Sequence, residues 1–313
     1  MAKTIREAYG EALVTYGKED PRVVVLDADV SGSTKSAVFG AACPERFFNV
    51  GIAESNMTAM AAGFAATGKI PFVNTFAVFL SSLGLTATRI YASYSRLPIK
   101  LAGAYGGLSD ALDGASHHAL EDLAIMRTLP NMKVFVASDA VQTAWLVKNA
   151  IADPSPMYLR LSREAFLSLY EETEVFREGE GKIVREGSDA TVIACGLLVG
   201  NALQAAEMLS AEGISLRVVD MFCIKPIDKE LILRCAAETG AIVTAEEHNI
   251  YGGLGGAVCE VLCREGACVP VGSIGLRDTH GESGPYARLQ EKYGLDAAAI
   301  AREVRCVLQK KNA

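Results

Sequence analysis

The sequence lacks the features that would place the protein in a membrane, outside the cell or on nucleic acid. It contains no run of about 18 or more apolar residues, so no membrane span is expected. Its first residues, MAKTIREAYGEAL, carry charges in a helical pattern and include no apolar signal-peptide core. The formal charge of −7 disfavours nucleic acid as the main partner, because phosphate binding needs a clustered basic face. We expect a cytoplasmic protein.

The sequence also lacks the usual motifs of metal and phosphate sites. The eight cysteines are scattered, mostly within apolar runs, and disulfides would require a secreted protein. Cys259 and Cys263 share a predicted helix but have no second ligand pair for a metal. The glycines of YGGLGGAV precede no Lys-Ser or Lys-Thr and lack the G-x-G-x-x-G spacing, so we interpret them as a tight turn. No compact cluster of oxygen ligands for Mg²⁺ stands out.

Runs of β-branched and aliphatic residues do alternate with helical patterns along the whole chain. The length of 313 residues exceeds one ordinary domain, and half of the residues are hydrophobic, so two cores are expected. Strands without alternating polarity are typical of parallel sheets that are covered on both faces. We therefore predict two α/β domains, each with a parallel or mostly parallel sheet flanked by helices.

The predicted elements fall into two groups on either side of an acidic segment. The predicted strands are 23–26, 47–52, 71–75, 99–104, 133–136, 157–161, 190–194, 216–220, 241–245 and 269–274. The predicted helices are 4–16, 54–67, 78–94, 140–151, 201–212, 228–239, 257–264 and 296–308. Between the groups, SLYEETEVFREGE has few aliphatic residues and no clear period. We predict a first domain over 1–167, a linker over 168–186 and a second domain over 187–313.

Glu54 begins a predicted helix within FFNVGIAESNMTAMAAGFAATGKIPFVNTFAVF. In the simplest interpretation it is a first-turn acid that the helix dipole stabilises by about 0.3–1 kcal/mol. The alternative is a catalytic carboxylate at the end of a strand. Small residues lie on nearly every side of this helix, which predicts burial and close packing against other backbones.

Asp113, His117 and His118 follow a predicted strand in a long polar segment. In open α/β sheets the carboxyl ends of the strands are where ligands bind, and histidine exchanges protons near neutral pH. The segment could equally form a helix N-cap at Ser116. A functional and a structural interpretation therefore both stay open for it.

Two further polar groups also end predicted strands. In YLRLSRE, Arg160 and Arg163 are suited either to a bidentate phosphate contact or to a surface ion pair. In the second half, Glu246, Glu247 and His248 include a single histidine and have no second cluster nearby in the sequence. We assign these three residues to a structural polar network.

Together these segments resemble the transketolase family. FFNVGIAESNMTAMAAGFAATGKIPFVNTFAVF, DGASHHALEDLAIMRTLPNMKVFVASDA and LRLSRE are similar to its pyrimidine-binding domain. TVIACG, VVDMFCIKPID and EEHNIYGGLGGAV resemble its C-terminal domain. The family's N-terminal diphosphate-binding domain, with its Gly-Asp-Gly…Asn metal motif, has no counterpart in the sequence. The resemblance therefore implies the C-terminal subunit of a split transketolase.

The resemblance implies transfer of a two-carbon ketol unit from a ketose, or ketose phosphate, to an aldose or aldose phosphate. The cofactor would be thiamine diphosphate, with its pyrimidine on this chain. A separately encoded N-terminal subunit would hold the diphosphate and Mg²⁺, so no metal ligand is expected here. Two copies of each subunit would form a closed α2β2 assembly. The alternatives are the β subunit of a 2-oxo acid dehydrogenase, a deoxyxylulose-phosphate-synthase-like enzyme and a non-catalytic scaffold.

The resemblance also assigns residues. Glu54 falls on the glutamate that binds N1′ of the aminopyrimidine and favours its imino tautomer, and with His117 it is the expected catalytic pair. Further cofactor contacts are expected from Phe76, Phe79 and Asp29. The residues expected to bind the substrate's hydroxyls or its anionic end are Arg6, Ser33, Tyr105, Asp113, His117 and Arg163. Tyr105 replaces a usual phosphate-binding histidine and Ser82 a third aromatic residue. The substrate's end group is therefore left open between phosphate, sulfonate and an uncharged group.

Overall fold

The computed structural model describes residues 3–164 and 168–312, whose strands form two sheets. The strands are β1 (Val23–Asp27), β2 (Phe47–Asn49), β3 (Ile70–Phe76), β4 (Lys100–Ala104), β5 (Lys133–Val136), β6 (Met157–Arg160), β7 (Lys182–Arg185), β8 (Ala190–Ala194), β9 (Leu216–Asp220), β10 (Cys223–Lys225), β11 (Ile242–Asn249) and β12 (Val271–Leu276). The larger sheet has the order β10-β5-β6-β4-β3-β1-β2, and the smaller one the order β12-β11-β8-β9-β7.

Helices cover the sheets. They are α1 (Ile5–Gly17), α2 (Ser31–Thr34), α3 (Ala37–Ala42), α4 (Glu54–Ala66), α5 (Ala77–Ser81), α6 (Leu85–Ala87), α7 (Asp122–Thr128), α8 (Ala140–Ala152), α9 (Leu198–Ser210), α10 (Lys229–Thr239), α11 (Leu254–Arg264), α12 (Tyr286–Lys292) and α13 (Ala297–Lys311). A 3₁₀ turn spans Pro44–Arg46 and a π-helical segment spans Thr88–Tyr94. No helix in the described ranges is long and apolar enough to cross a membrane.

The strand pairings confirm the predicted α/β class. All of them are parallel except two at the sheet edges, β10 with β5 and β7 with β9. The central strands β1, β3 and β4 are buried along their whole length, as expected where helices cover both faces of a sheet. Parallel pairing aligns the carboxyl ends of β1, β3 and β4 along one edge of the larger sheet.

The two edge strands depart from the predicted division of the chain. β7 lies inside the range predicted as a linker, and it pairs with β9 with Ile183 opposite Val219. β10, in the second half of the chain, pairs with β5 of the larger sheet with Cys223 opposite Phe135. The predicted linker is therefore wrong at its end, and the second half of the chain completes the first sheet.

The helix predicted over 78–94 is wrong, because the structure breaks this segment into α5, α6 and the π-helical turn. Ser81 Oγ donates to the carbonyl of Ala77 at 2.9 Å and Ser82 Oγ to that of Val78 at 2.6 Å. Such side-chain bonds compete with the helical ladder. Gly84 N–H then donates to the carbonyl of Phe79, which closes the helix end.

Helix α4 is less buried within the single chain than its small residues predict. Met57, Ala61 and Ala65 pack into the core, whereas Met60 is 37% exposed and a Cβ added at Gly63 would meet no atom within 4 Å. The prediction of burial on nearly every side is therefore wrong for the isolated chain. One face of α4 packs on the sheet and the opposite face lies at the surface.

Candidate active site

The carboxyl edge of the larger sheet carries two residues with unusual backbones. Asp29 follows β1 with φ 68° and Tyr105 follows β4 with φ 59°. A non-glycine residue in this left-handed region costs about 1–3 kcal/mol, and such strain concentrates at functional sites. Phe76 ends β3 between the two strands. Both strained residues therefore lie at the edge at which parallel α/β sheets bind ligands.

Glu54 is the first residue of α4 and points into this edge. It is only 4% exposed, and Thr75 Oγ1 donates to its Oε1 at 3.4 Å, the one side-chain hydrogen bond to this carboxylate in the described residues. It lies in the first turn of α4, at the positive end of the helix dipole. A buried carboxylate with a single long hydrogen bond can accept a further one from a ligand N–H.

Aromatic side chains form a cluster beside the carboxyl end of β3. The ring centroid of Phe76 lies 5.9 Å from that of Phe79 and 4.7 Å from that of Tyr105. His117 completes the cluster, with its ring 5.7 Å from Phe76 and 5.3 Å from Phe79, both at steep angles. These residues, which we call the aromatic cluster, come from three separate segments and present ring faces and one imidazole to the same place.

Two arginines lie on Tyr105 at one side of the aromatic cluster. Arg6 Nη1 donates to Tyr105 Oη at 2.6 Å and to the carbonyl of Ser33 at 3.4 Å. The guanidinium carbons of Arg6 and Arg163 lie 5.6 and 5.4 Å from the centre of the tyrosine ring. Arg6 Nε is buried and has no hydrogen-bond partner among the described residues. The arrangement, which we call the arginine clamp, suits an anionic group.

Two acidic residues lie beside His117, and one of them pairs with Arg163 of the arginine clamp. Ligand atoms of Asp110, Asp113 and His117 all lie within 4.8 Å of one another. Asp110 is 1% exposed, and burial, together with the charge of Asp113, raises the pKa of its carboxyl. Sequence reasoning did not single out Asp110, because nothing in the sequence distinguishes it from the other acids of its polar segment.

The helix-cap interpretation of this segment is wrong. Ser116 Oγ lies 3.0 Å from His117 Nδ1, and α7 begins only at Asp122, where Glu121 makes no side-chain cap bond. His118, next to His117, lies against Gly281 and is buried without a partner for either ring nitrogen in the described residues. Of the two neighbouring histidines, only His117 joins the aromatic and acidic groups.

The two arginines of YLRLSRE differ completely in their surroundings. Arg160 is buried against Asp122, with Nε to Oδ2 at 2.8 Å, so neither a phosphate contact nor a surface ion pair describes it. Arg163 lies at the site and pairs with Asp110 at 3.2 Å. Asp29 is exposed and accepts a hydrogen bond from Asn49 Nδ2 at 2.8 Å, so it lies at the edge rather than within the aromatic cluster.

The second half of the chain supports the loop that follows β4. Glu247, at 4% exposed, accepts from the backbone N–H of Leu108 at 2.7 Å and from Tyr286 Oη at 2.9 Å. Gly107 has φ 69°, and a Cβ there would lie 2.6 Å from Glu247 Cδ. The close approach requires glycine. The polar network predicted for Glu246, Glu247 and His248 thus reaches the loop of Tyr105 and Asp113.

A second loop of that half packs on the same segment. The N–H of Gly284 donates to the carbonyl of Ala111 at 2.9 Å. Any side chain at Gly281 would clash with the ring of His118. Burial lowers the pKa of His118, which favours the neutral imidazole in this apolar contact. The loop carrying Asp110, Asp113 and His117 is therefore held from both sheets.

The burial of Glu247 predicts that the stability of the fold depends on pH. Burial raises the pKa of Glu247 from its ordinary value of 4.5 to about 7. The folded protein therefore holds this proton more tightly than the unfolded chain, so the stabilisation is present below about pH 4.5 and is lost as pH rises through about 7. The free energy of unfolding should therefore fall between about pH 5 and 8, and we expect Glu247→Gln to reduce this fall by on the order of 2–3 kcal/mol. Urea unfolding across this pH range measures the difference. If the free energy of unfolding of the variant fell with pH as steeply as that of the wild type, Glu247 would not be the source of the pH dependence.

Comparison with known proteins identifies the family. Residues 1–167 match the family described as transketolase, pyrimidine binding domain, and residues 179–300 match the one described as transketolase, C-terminal domain. The chain belongs to the transketolase family. The resemblance inferred from the sequence motifs is thereby confirmed.

Individual transketolase relatives match over nearly their whole length. A Methanocaldococcus jannaschii protein named as a transketolase C-terminal section is 43% identical, over 96% of this chain and 95% of its own length. The 6-deoxy-6-sulfo-D-fructose transketolase subunit of a Clostridium species is 38% identical, over 98% of this chain and 95% of its own length. A solved structure titled split gene transketolase, inactive beta4 tetramer, has a TM-score of 0.92 at 49% identity and covers 98% of this chain and 99% of that one.

Membership of the transketolase family implies dependence on thiamine diphosphate. The residues at the site fit the aminopyrimidine ring of this cofactor. Glu54 is a buried carboxylate with spare acceptor capacity, and Phe76 and Phe79 offer aromatic faces beside the end of β3. Asp29 is the least suited of the expected contacts, because it is exposed and already bonded to Asn49.

Proposed function

We propose that this chain is the C-terminal subunit of a thiamine-diphosphate-dependent transketolase that moves a two-carbon ketol unit from a ketose to an aldose. The observation that carries the proposal is the placement of buried Glu54 at one edge of the sheet with the aromatic cluster and the arginine clamp. A carboxylate for the pyrimidine, an imidazole for proton transfer and a cationic end for an anionic sugar suit such a transfer.

The proposed roles follow from the surroundings of each residue. The carbanion chemistry is supplied by the cofactor when it is bound, and the protein contributes orientation and electrostatics. Glu54 would accept a hydrogen bond from the pyrimidine ring, which Phe76 and Phe79 would position. His117, half-buried, would move a proton at the sugar carbonyl, and exposed Asp113 would bind a sugar hydroxyl.

The arginine clamp is the proposed site for the far end of the sugar. The guanidinium groups of Arg6 and Arg163 both lie near the ring of Tyr105. The backbone carbonyl of Ser33 accepts a hydrogen bond from Arg6 and helps to orient it. In the arginine clamp, Arg6 Nε is buried and has no hydrogen-bond partner among the described residues, so it can donate to an anion. We therefore propose that the substrates are sugars with an anionic group at the far end.

We further propose a separate N-terminal subunit that holds the diphosphate and Mg²⁺, in an α2β2 assembly. The exposed face of α4, with Met60 and Gly63, suits close packing against another chain. The related split-gene structure is titled an inactive tetramer of its beta subunit.

Reconstitution tests this function. The purified chain should show no ketol transfer, and mixing it with a protein that carries the N-terminal transketolase domain should produce transfer from a ketose phosphate to an aldose phosphate. Release of the shortened aldose, followed with a coupled dehydrogenase, measures the rate. Full activity without a partner would contradict the split enzyme. Consumption of pyruvate by the mixture, with or without an aldehyde acceptor, would identify a 2-oxo acid dehydrogenase or a deoxyxylulose-phosphate-type synthase instead.

A further inference from the structure

Within residues 3–164 and 168–312, Asp110 is the one group with a charge opposite to the arginine clamp and in direct contact with it. Its side chain is 2% exposed, and its Oδ1 lies 3.2 Å from Arg163 Nη1. Its Oδ2 is buried without a hydrogen-bond partner in residues 3–164 and 168–312. The backbone N–H of Arg163 also contacts the neighbouring Ser109 at 3.3 Å, so the arginine is fixed against this loop at two points. Asp110 is therefore built into the anion end of the site.

The charges around the clamp favour a particular kind of anion. Arg6 and Arg163 bring two positive charges to Tyr105, and Asp110 places one negative charge against Arg163. An anion that contacts Arg163 must share its guanidinium with this carboxylate, and the carboxylate repels each negative charge of the anion in a partly buried place. The clamp with Asp110 then carries a net single positive charge, which a monoanion balances and a dianion exceeds. Asp113 adds further negative charge within 4.8 Å of Asp110.

We propose that Asp110 is a specificity-determining residue that makes the clamp prefer a monoanionic end group, such as a sulfonate, over a dianionic phosphate. The inference rests on the proposed function only in taking a sugar as the ligand. Arg163 supplies the attraction for both kinds of anion, and Asp110 reduces it in proportion to the anion's charge. The substrate class is thus a sugar with a singly charged end group.

The experiment measures binding, so that it does not depend on turnover. Dissociation constants for ribose 5-phosphate, for its 5-deoxy-5-sulfonate analogue and for ribose are measured by calorimetry at about pH 8 on the assembled protein and on the chain itself. The wild type should bind the sulfonate more tightly than the phosphate. Asp110→Asn removes the charge at nearly constant shape. It should tighten binding of the phosphate by about tenfold, so that the phosphate binds more tightly than the sulfonate, and should change the dissociation constant of ribose by less than about twofold.

Two further variants separate a charge effect from a structural one. Asp110→Ser, a second neutral variant, should also tighten phosphate binding relative to ribose. Asp153→Asn removes one of the two acidic partners of Lys133 at the opposite end of the sheet strands and should change none of the three constants. Arg163→Ala should weaken both anions and not ribose.

The outcomes decide the proposal without reference to catalysis. If Asp110→Asn weakened all three ligands alike, or left the phosphate-to-sulfonate ratio unchanged, Asp110 would only hold the loop and the proposal would be overturned. Wild-type protein that binds neither anion more tightly than ribose, or an Arg163→Ala variant that binds phosphate normally, would overturn it too. The predicted reversal in a protein that transfers no ketol unit would support Asp110 and contradict the proposed reaction.

Discussion

Replacing Glu54 by glutamine is expected to lower turnover of the reconstituted enzyme by about 10²–10⁴-fold while the assembly stays intact. Glutamine keeps the size of the side chain and can still accept from Thr75, which lies 3.4 Å away. It loses the charge that would polarise the pyrimidine ring. Steady-state rates at saturating cofactor measure the effect, and light scattering checks the subunit composition. Turnover near that of the wild type would contradict the role of Glu54.

Thr75→Val provides the matched control for this experiment. It removes the single side-chain hydrogen bond to Glu54 in the described residues and leaves the carboxylate in place. Because that bond is long, we expect a loss of less than about tenfold. If Thr75→Val and Glu54→Gln had equal effects, the position of the carboxylate rather than its charge would matter, and the proposed proton chemistry would need another residue.

The class of fold was predictable because burial on both faces of a sheet leaves a direct sign in the sequence. The strand predicted at 133–136 is β5, and the apolar run beginning at Val23 is β1 with one further residue. The edge at which the candidate site residues meet was predictable for the same reason. In a parallel sheet, residues that follow strands, such as Phe76 and Tyr105, must meet at one edge.

The edge strands and the broken helix were not predictable, because tertiary contacts outside the local sequence decide them. β10 has only three residues, and its pairing with β5 comes from a part of the chain that was expected to belong to another domain. Likewise, Ser81 and Ser82 are compatible with a helix by propensity, but their hydroxyls bond to the carbonyls of the preceding turn.

The sequence could not distinguish the roles of neighbouring polar residues at the site. Arg160 and Arg163 occur in one short motif, yet one is buried against Asp122 and the other reaches the site against Asp110. Whether an acid in a polar loop is solvated or buried depends on which cation the fold brings to it. Only the assembled loop, held by Glu247 from the other sheet, places Asp110 against the clamp.

Removing the carboxylate of Asp122 is expected to destabilise the folded chain by about 3–5 kcal/mol, the largest effect on stability that we predict. Asp122 is fully buried, and its Oδ2 lies 2.8 Å from Arg160 Nε and accepts a hydrogen bond from Tyr158 Oη at 2.7 Å. Arg160 Nη2 also donates to the carbonyls of Ala119 and Glu247, both at 2.9 Å, which ties the site loop to the smaller sheet. Asp122→Ala would leave this guanidinium buried without its counter-charge, and urea unfolding measures the loss.

A double-variant cycle shows whether the loss comes from the unpaired charge. In the double variant Asp122→Ala, Arg160→Met, the uncompensated guanidinium is gone, so it should be more stable than Asp122→Ala alone by at least about 1 kcal/mol. The exposed pair of Arg288 and Glu291, whose side chains are 76% and 62% exposed, serves as the control. Glu291→Ala should cost less than about 1 kcal/mol, because water screens that pair. A double variant no more stable than Asp122→Ala would mean that the carbonyl contacts of Arg160, rather than its charge pairing, hold the loop against the smaller sheet.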